Sequence, residues 1–389
     1  MSKTLALSEP TLNGKEWRYV KECLDTAWLS TAGKFVDRFE EDICRLTGAR
    51  YAVAVTSGTV ALKIGLEVAG VQPDEEVLVP TVTFIAPVNA VRYLGAHPVF
   101  MDADDHYNMD IHKTIEFLRK ETKRQNGHCL NKTTQRKIRA IIPVHIFGHA
   151  VDLEPLIKAC KESNIRIIED ATESLGTKYK EGRLKGRYTG TIGEIGCYSF
   201  NGNKIITAGG GGMMVTDQKP YASEAKYLTT QAKDDPLYYI HNTIGYNERL
   251  NNLQAAIGVA QLKGLSEIIR IKKENYQIYQ KHMNTIEGLH LAEPPAYADN
   301  NNWMYALQVN AKRYGRSRDE LIRLFIEERI EVRPLWHLNH LQKPYQQCQT
   351  FKIENAYRLL QSTLNLPCSA HLTEQDILKV VRLLKKWKK

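Results

Sequence analysis

The residue that narrows the chemistry most is Lys204, in the run Cys197-Tyr198-Ser199-Phe200-Asn201-Gly202-Asn203-Lys204-Ile205-Ile206-Thr207. Most lysines are surface charges. A lysine in a short turn behind an apolar strand can instead be desolvated, which disfavours the ammonium and frees the amine for Schiff-base chemistry. Ala208 and the four glycines 209–212 follow, so backbone there can pass close to a bulky group. A second feature is Thr56-Ser57-Gly58-Thr59, where a strand-like YAVAVT runs into a helical SGTVALKIGLEVAG. Free N–H groups at a helix start, with Ser and Thr hydroxyls beside them, make a phosphate cradle; the same residues also make an ordinary N-cap. The GxxxxGK[ST] pattern of a P-loop is absent. A third feature is Glu169-Asp170, closing the strand-like IRIIED. A carboxylate there can keep a pyridine nitrogen protonated, so that the ring acts as an electron sink; it can equally cap a strand-to-helix turn.

The elements that would position these residues alternate in the first half of the chain. Strand-like YAVAVT (51–56), EVLVP (76–80), HPVFMD (97–102), AIIPVHIFG (140–148) and IRIIED (165–170) are separated by amphipathic stretches, TFIAPVNAVRYLG and DLEPLIKACKES among them. This alternation predicts an α/β domain with a largely parallel sheet and helices on both faces, and ligands then bind at the carboxyl ends of the strands. Asn13 and Glu16 predict the start of a first helix, with Trp17, Val20 and Leu24 at helical spacing. After Asn252 the pattern becomes one long helix, LQAAIGVAQLKGLSEIIRIKKENYQIYQKHM, then short strands and helices. The expected division is a large domain over 1–252 and a smaller α+β domain over 253–389.

In order along the chain stand a cradle, an aromatic after a strand (Phe84), a strand-end Asp170 and then Lys204, and in this the chain resembles fold-type-I pyridoxal-phosphate enzymes, with the aspartate aminotransferase-like architecture. More closely it resembles the DegT/DnrJ/EryC1/StrS sugar aminotransferases, through SGTVAL, VLVPTVTFIAPVNAV, IIPVHIFG, IIEDATESLG, YSFNGNKIITAGGGG, GYNERLNNLQAAIG and RPLWH, from about Leu12 to the end. The resemblance implies pyridoxal 5'-phosphate held as a Schiff base on Lys204, with pyridoxamine phosphate as the alternate form, and Lys204 moving the proton at the substrate carbon. It implies Asp170 as partner of the pyridine nitrogen, Phe84 and Ala171 on the two ring faces, and Gly58, Thr59 and Ser199 on the phosphate. Asn247 in GYNER would reach into the neighbouring subunit's site, which implies a homodimer with shared active sites. Thr31, Trp336 and His337 match substrate-proximal positions, although TAGK and RPLWH read equally well as a plain turn and a packed strand. Glu173 departs from the Gln or His of many relatives at a position facing the cofactor's phenolic oxygen; a carboxylate there repels a phenolate unless one of the two carries a proton.

The reaction so implied uses L-glutamate as donor to aminate a nucleotide-linked 4-keto-6-deoxy sugar. The NGNKIIT loop looks most like relatives acting at C4 of UDP-linked 2-acetamido-4-keto-6-deoxyhexoses, whose products feed bacillosamine-like or legionaminic-like surface glycans. Sugar dehydratases of the same family carry His where Lys204 stands, and a non-catalytic regulator retaining the fold would not need Lys204, Asp170 and the cradle together.

Bulk properties agree. Of 389 residues 43% are hydrophobic and 25% charged, ordinary for a globular chain. No run of about 18 apolar residues is present, which speaks against a spanning helix, and MSKTLALSEP lacks the apolar core of a secretory signal. The seven scattered cysteines form no CxxC pair and no metal spacing, as expected of reduced thiols in the cytoplasm. The net charge of +9 gathers in Lys113–Arg139, with nine basic residues against Glu116 and Glu121, and in six more from Lys379 to Lys389. The first reads as a solvated loop with no catalytic role. The second reads as an amphipathic terminal helix with Ile377, Val381, Leu384 and Trp387 on one face. Neither has base-reading machinery, so no nucleic-acid partner is expected. His145 reads as a core histidine.

Overall fold

A computed structural model describes residues 4–389. Its centre is a sheet whose main path runs Tyr51–Val55, Gly212–Thr216, Ile195–Ser199, Arg166–Asp170, Lys137–Ile141, Glu76–Pro80, His97–Met101, Thr350–Phe351. Along this path only Gly212–Thr216 runs against its neighbours. Val55, Pro80, Asp170 and Ser199 therefore end at one edge of the sheet, and Gly212 begins there. Runs such as Val77-Leu78-Val79 and Ile167-Ile168 are buried because helices cover the strands on both faces. The expected α/β architecture is thus present.

Past Leu289 a smaller antiparallel sheet forms in the order Leu289–Leu291, Tyr305–Val309, Thr363–Leu366, Arg333–Pro334. The terminal helix Glu374–Trp387 packs on Leu265–Met283 through the expected face, with Ile377, Val381, Leu384 and Trp387 all buried. No described helix is long and apolar enough to cross a membrane, and all seven cysteines are free.

Two expectations are corrected. The basic segment is not a loop. It forms the helix Ile111–Lys120 and an antiparallel hairpin, Thr122–Gln125 with His128–Asn131, that pairs with Lys137–Ile141. Asn131 holds it to the sheet by donating to Glu76 Oε2 at 2.8 Å, and Glu116 pairs with both Lys120 and Lys352. Charged side chains on the outer strand suit an edge, where they discourage further pairing. The long helix after Asn252 is two helices, Asn252–Leu262 and Leu265–Met283. The break falls at Lys263-Gly264, and a Cβ on Gly264 would meet the Asn13 amide at 3.2 Å. The first of the pair packs on Lys15–Asp25 and Lys34–Thr47.

The first helix begins at Lys15 with Gly14, not Asn13, as its N-cap; Asn13 still braces the start, its Oδ1 accepting from Lys15 N and its N–H donating to Glu16 Oε1. Its apolar stripe is not covered, since Trp17 is 70% and Leu24 53% exposed.

Candidate active site

Three strand ends converge on a cavity of about 340 Å³ lined by Gly58, Thr59, Phe84, Asp170, Glu173, Ser199, Lys204, Trp303 and Trp336, among others. At its head the helix Gly58–Val68 begins. Ser57 caps it, its Oγ accepting from Val60 N at 3.2 Å. The backbone must approach closely here. A Cβ on Gly58 would stand 2.8 Å from Ser199 Cβ and 3.0 Å from Thr172 Cγ2, and one on Gly212 would stand 2.4 Å from Ser57 carbonyl atoms. Glycine thus leaves room between the helix start and Ser199, where N–H groups and hydroxyls can take an anion.

Strand alternation decides what Glu169 and Asp170 do, because neighbouring side chains point to opposite faces. Asp170 lines the cavity, with Oδ1 accepting from Thr172 N at 3.0 Å, and burial raises its carboxyl above the ordinary aspartate range. Glu169 points away into the protein. Its Oε1 accepts from Ile192 N (2.5 Å) and Gly193 N (2.6 Å), and its Oε2 from Gly190 N (2.8 Å) and His145 Nε2 (3.0 Å). Since Val151 N donates to His145 Nδ1 at 3.0 Å, that ring carries its proton on Nε2. His145 is the satisfied core histidine the sequence suggested.

Lys204 follows the strand Ile195–Ser199 in a turn, its N–H donating to Asn201 O at 3.1 Å. The side chain is 13% exposed. Its Nζ lies 4.4 Å from the centroid of the Trp303 ring and 3.7 Å from Glu173 Oε1. Glu173 Oε2 accepts from Phe147 N at 2.8 Å, and burial pushes the Glu173 carboxyl up to about 7. Phe147 has φ +58°, a left-handed conformation costly for a bulky residue. Contacts with the Tyr107 and Trp336 rings, at 5.2 and 5.3 Å, and the Glu173 carboxylate hold it there.

The remaining sequence candidates divide. Phe84 lines the cavity with half its surface exposed, edge-on to Trp336 at 6.5 Å. Ala171 is fully buried and is not part of the lining. Thr31, His337 and Asn247 are exposed and lie outside this chain's own cavity. Ala32, Gly33 and Lys34 instead border a separate open hollow with Trp28 and Asn252. Arg249, two residues past Asn247, is structural: it donates to Glu40 Oε1 at 2.8 Å and Ala54 O at 3.0 Å.

Sequence reasoning missed Trp303. Its Nε1 donates to Asn203 O at 2.7 Å, so it fixes the lysine turn while covering the amine. The available signal was Asn300-Asn301-Asn302 ahead of an apolar strand. All three are buried, and Asn301 Nδ2 donates to Glu173 O (2.9 Å) and Leu175 O (3.1 Å), locking this crossing to the Glu173 loop.

Taken together, these residues fit a flat aromatic group bearing an anionic arm. An amine stands beside a buried carboxylate at the floor, an N–H-rich helix start stands at the head, and the rings of Phe84, Trp303 and Trp336 form the wall.

The sequence model of the DegT/DnrJ/EryC1/StrS aminotransferase family matches residues 10–385. The chain is 34% identical to a GDP-perosamine synthase of Escherichia coli O157:H7, over 97% of each chain. It is 33% identical to a GDP-perosamine synthase of Caulobacter vibrioides, over 98% of this chain and 97% of that one. Among solved structures it is similar to DesI crystallised with its TDP-sugar product, with TM-score 0.87 and 25% identity, covering 99% of this chain and 93% of that one.

Proposed function

The chain belongs to the DegT/DnrJ/EryC1/StrS aminotransferase family and is a pyridoxal-phosphate-dependent nucleotide-sugar aminotransferase; from that premise we propose that Lys204 carries the cofactor and that the sugar is aminated at C4 of a nucleotide-linked 4-keto-6-deoxyhexose, with L-glutamate as donor. The observation that carries the assignment of residues is the meeting of Lys204, Asp170 and the helix start at Gly58 in one cavity.

When bound, the cofactor supplies an electron sink for the carbon attached to the transferred nitrogen. Asp170 would hold the proton on the pyridine nitrogen, since a buried carboxylate beside that nitrogen would favour its protonated form. Gly58, Thr59 and Ser199 would hold the cofactor's phosphate, and Phe84 would face its ring. Lys204 Nζ takes the proton from the donor carbon and later delivers one to the sugar carbon. Holding donor and acceptor beside one amine would convert a bimolecular step into an effectively intramolecular one. The part of the chain up to about residue 252 supplies cofactor contacts, and the part beyond it supplies the Trp303 and Trp336 walls.

Thr31, His337 and Asn247 belong, in this reading, to sites completed by a second copy. Supporting this, Trp17, Leu24 and Trp28 near the first helix are exposed, as are Leu237, Tyr238, Tyr239, Ile240 and Ile244 ahead of Asn247. Large apolar residues gathered on a surface mark an interaction face. Mixing Lys204→Ala with Asn247→Ala subunits regenerates activity in hybrid dimers if sites are shared; mixtures as inactive as the parents contradict sharing.

Two nucleotides compete. The NGNKIIT loop favours a UDP-linked 2-acetamido sugar, whereas the relatives named GDP-perosamine synthases favour a GDP-linked one. The test incubates the purified protein with pyridoxal phosphate, L-glutamate and each of the UDP-, GDP- and dTDP-linked 4-keto-6-deoxy sugars. Formation of 2-oxoglutarate with the amino sugar of matching mass is expected for one nucleotide. Amination of none of the three overturns the 4-keto assignment.

A further inference from the structure

Lys204 and Glu173 are a close pair in a site that offers them little else. Glu173 is 3% exposed, and of its two oxygens Oε2 is committed to Phe147 N, leaving Oε1 facing the Lys204 amine at 3.7 Å. Of the residues lining the cavity, Asp170 is the other ionisable one, and Asp170 raises the Glu173 carboxyl further while Lys204 opposes that rise. The Glu173 loop is also fixed from behind, by Asn301 donating to its carbonyl.

A lysine that enters and leaves a C=N bond must shed and regain a proton. The ammonium form cannot attack a carbonyl, and the carboxylate oxygen that faces it is Glu173 Oε1. We propose that Glu173 Oε1 is the local store for that proton. When Lys204 condenses with a carbonyl, the ammonium and the carboxylate together yield the C=N bond, one water and a neutral Glu173 acid. The nitrogen gives up three hydrogens, two leaving in water with the carbonyl oxygen and one passing to Oε1, and the net charge of the pair stays zero. When the lysine is displaced, Oε1 returns the proton to the freed amine. A neutral acid also removes the repulsion that a carboxylate would exert on a phenolate beside it. A carboxyl that titrates near 7 suits this exchange, because both of its forms are accessible at neutral pH. Gln or His at this position could donate a hydrogen bond, but Gln could not store a proton.

This rests on Lys204 being the amine that forms the C=N bond, and the test separates the two. Infrared difference spectra are recorded above pH 7, where the cofactor-free Glu173 is ionised, between cofactor-free protein and protein loaded with pyridoxal phosphate, for wild type, Glu173→Gln and Glu173→Asp, with borohydride trapping and peptide mapping of Lys204 alongside. Loading of the wild type is expected to produce the C=O band of a protonated carboxylic acid. That band is lost in Glu173→Gln and shifted in frequency in Glu173→Asp. A wild type trapped on Lys204 without the acid band overturns the proposal and leaves the role of Lys204 standing. A band retained in Glu173→Gln, or unshifted in Glu173→Asp should the glutamine variant not fold, also overturns it. A wild type that cannot be trapped on Lys204 removes the premise and the proposal together.

Discussion

Replacing Glu169 by Gln tests whether the floor of the site is held as the contacts indicate. The side chain is fully buried and accepts four hydrogen bonds, two at each oxygen. Glutamine keeps the shape but puts an NH2 group where one oxygen stood. Whichever way it turns, two donors then face a donor: either Ile192 N and Gly193 N, or Gly190 N and His145 Nε2. Each buried donor left unmet costs about 1–3 kcal/mol, so the substitution is expected to destabilise the protein by about 2–6 kcal/mol. That is a large part of a typical stability of about 5–15 kcal/mol. Urea unfolding followed by tryptophan fluorescence measures the difference. The folded fraction should still trap pyridoxal phosphate on Lys204, because Glu169 points away from the cavity. A change below about 0.5 kcal/mol, the size of an ordinary surface substitution, refutes the reasoning, as does loss of trapping in folded protein.

Asp170→Asn removes the charge proposed to face the pyridine nitrogen while keeping the size of the side chain. Turnover, followed as 2-oxoglutarate release, should fall about 10²–10³-fold, as when one preorganised electrostatic contact is lost, with Lys204 still trapped by borohydride; unchanged turnover contradicts the role. Glu173 gives a pH dependence in the cofactor-free protein. Its carboxyl titrates near 7 when folded and near the ordinary glutamate value of 4.5 when unfolded, so between these values the folded state binds the extra proton. Stability is therefore highest below about 4.5 on this account and falls as pH rises through about 7. The whole span amounts to a loss on the order of 3 kcal/mol. Denaturation midpoints across pH 5–8 should show this fall in wild type and a smaller one in Glu173→Gln; parallel curves contradict it.

What was legible in the sequence was what local pattern controls. Apolar runs ending in Ser57-Gly58, Asp170 and Ser199 are strands ending at small or polar residues, and a parallel sheet brings such ends to one edge. The lysine turn could be placed for the same reason. Trp303 could not, because it reaches the site from a crossing loop through Asn301 and Asn203, in contacts 128 and 100 residues apart along the chain. The outer strand of the hairpin at 122–131 is Thr122-Lys123-Arg124-Gln125, without an apolar residue, so it shows no apolar period to read. Glu169 and Asp170 stand side by side as carboxylates; the family resemblance singles out Asp170, and the period-two alternation of the strand explains why Glu169 instead turns into the protein. Thr31, His337 and Asn247 lie outside their own chain's cavity, so a single chain cannot say what they face.

The most direct measurement is the absorbance spectrum of the purified protein, loaded with pyridoxal phosphate and then given L-glutamate, for wild type and Lys204→Ala. Wild type should show the visible band of lysine-bound cofactor, converting with glutamate to the shorter-wavelength band of pyridoxamine phosphate, while the variant shows neither the lysine-bound band nor the cycle. A wild type that binds no pyridoxal phosphate, or a variant that cycles as well as the wild type, would contradict the assignment of Lys204.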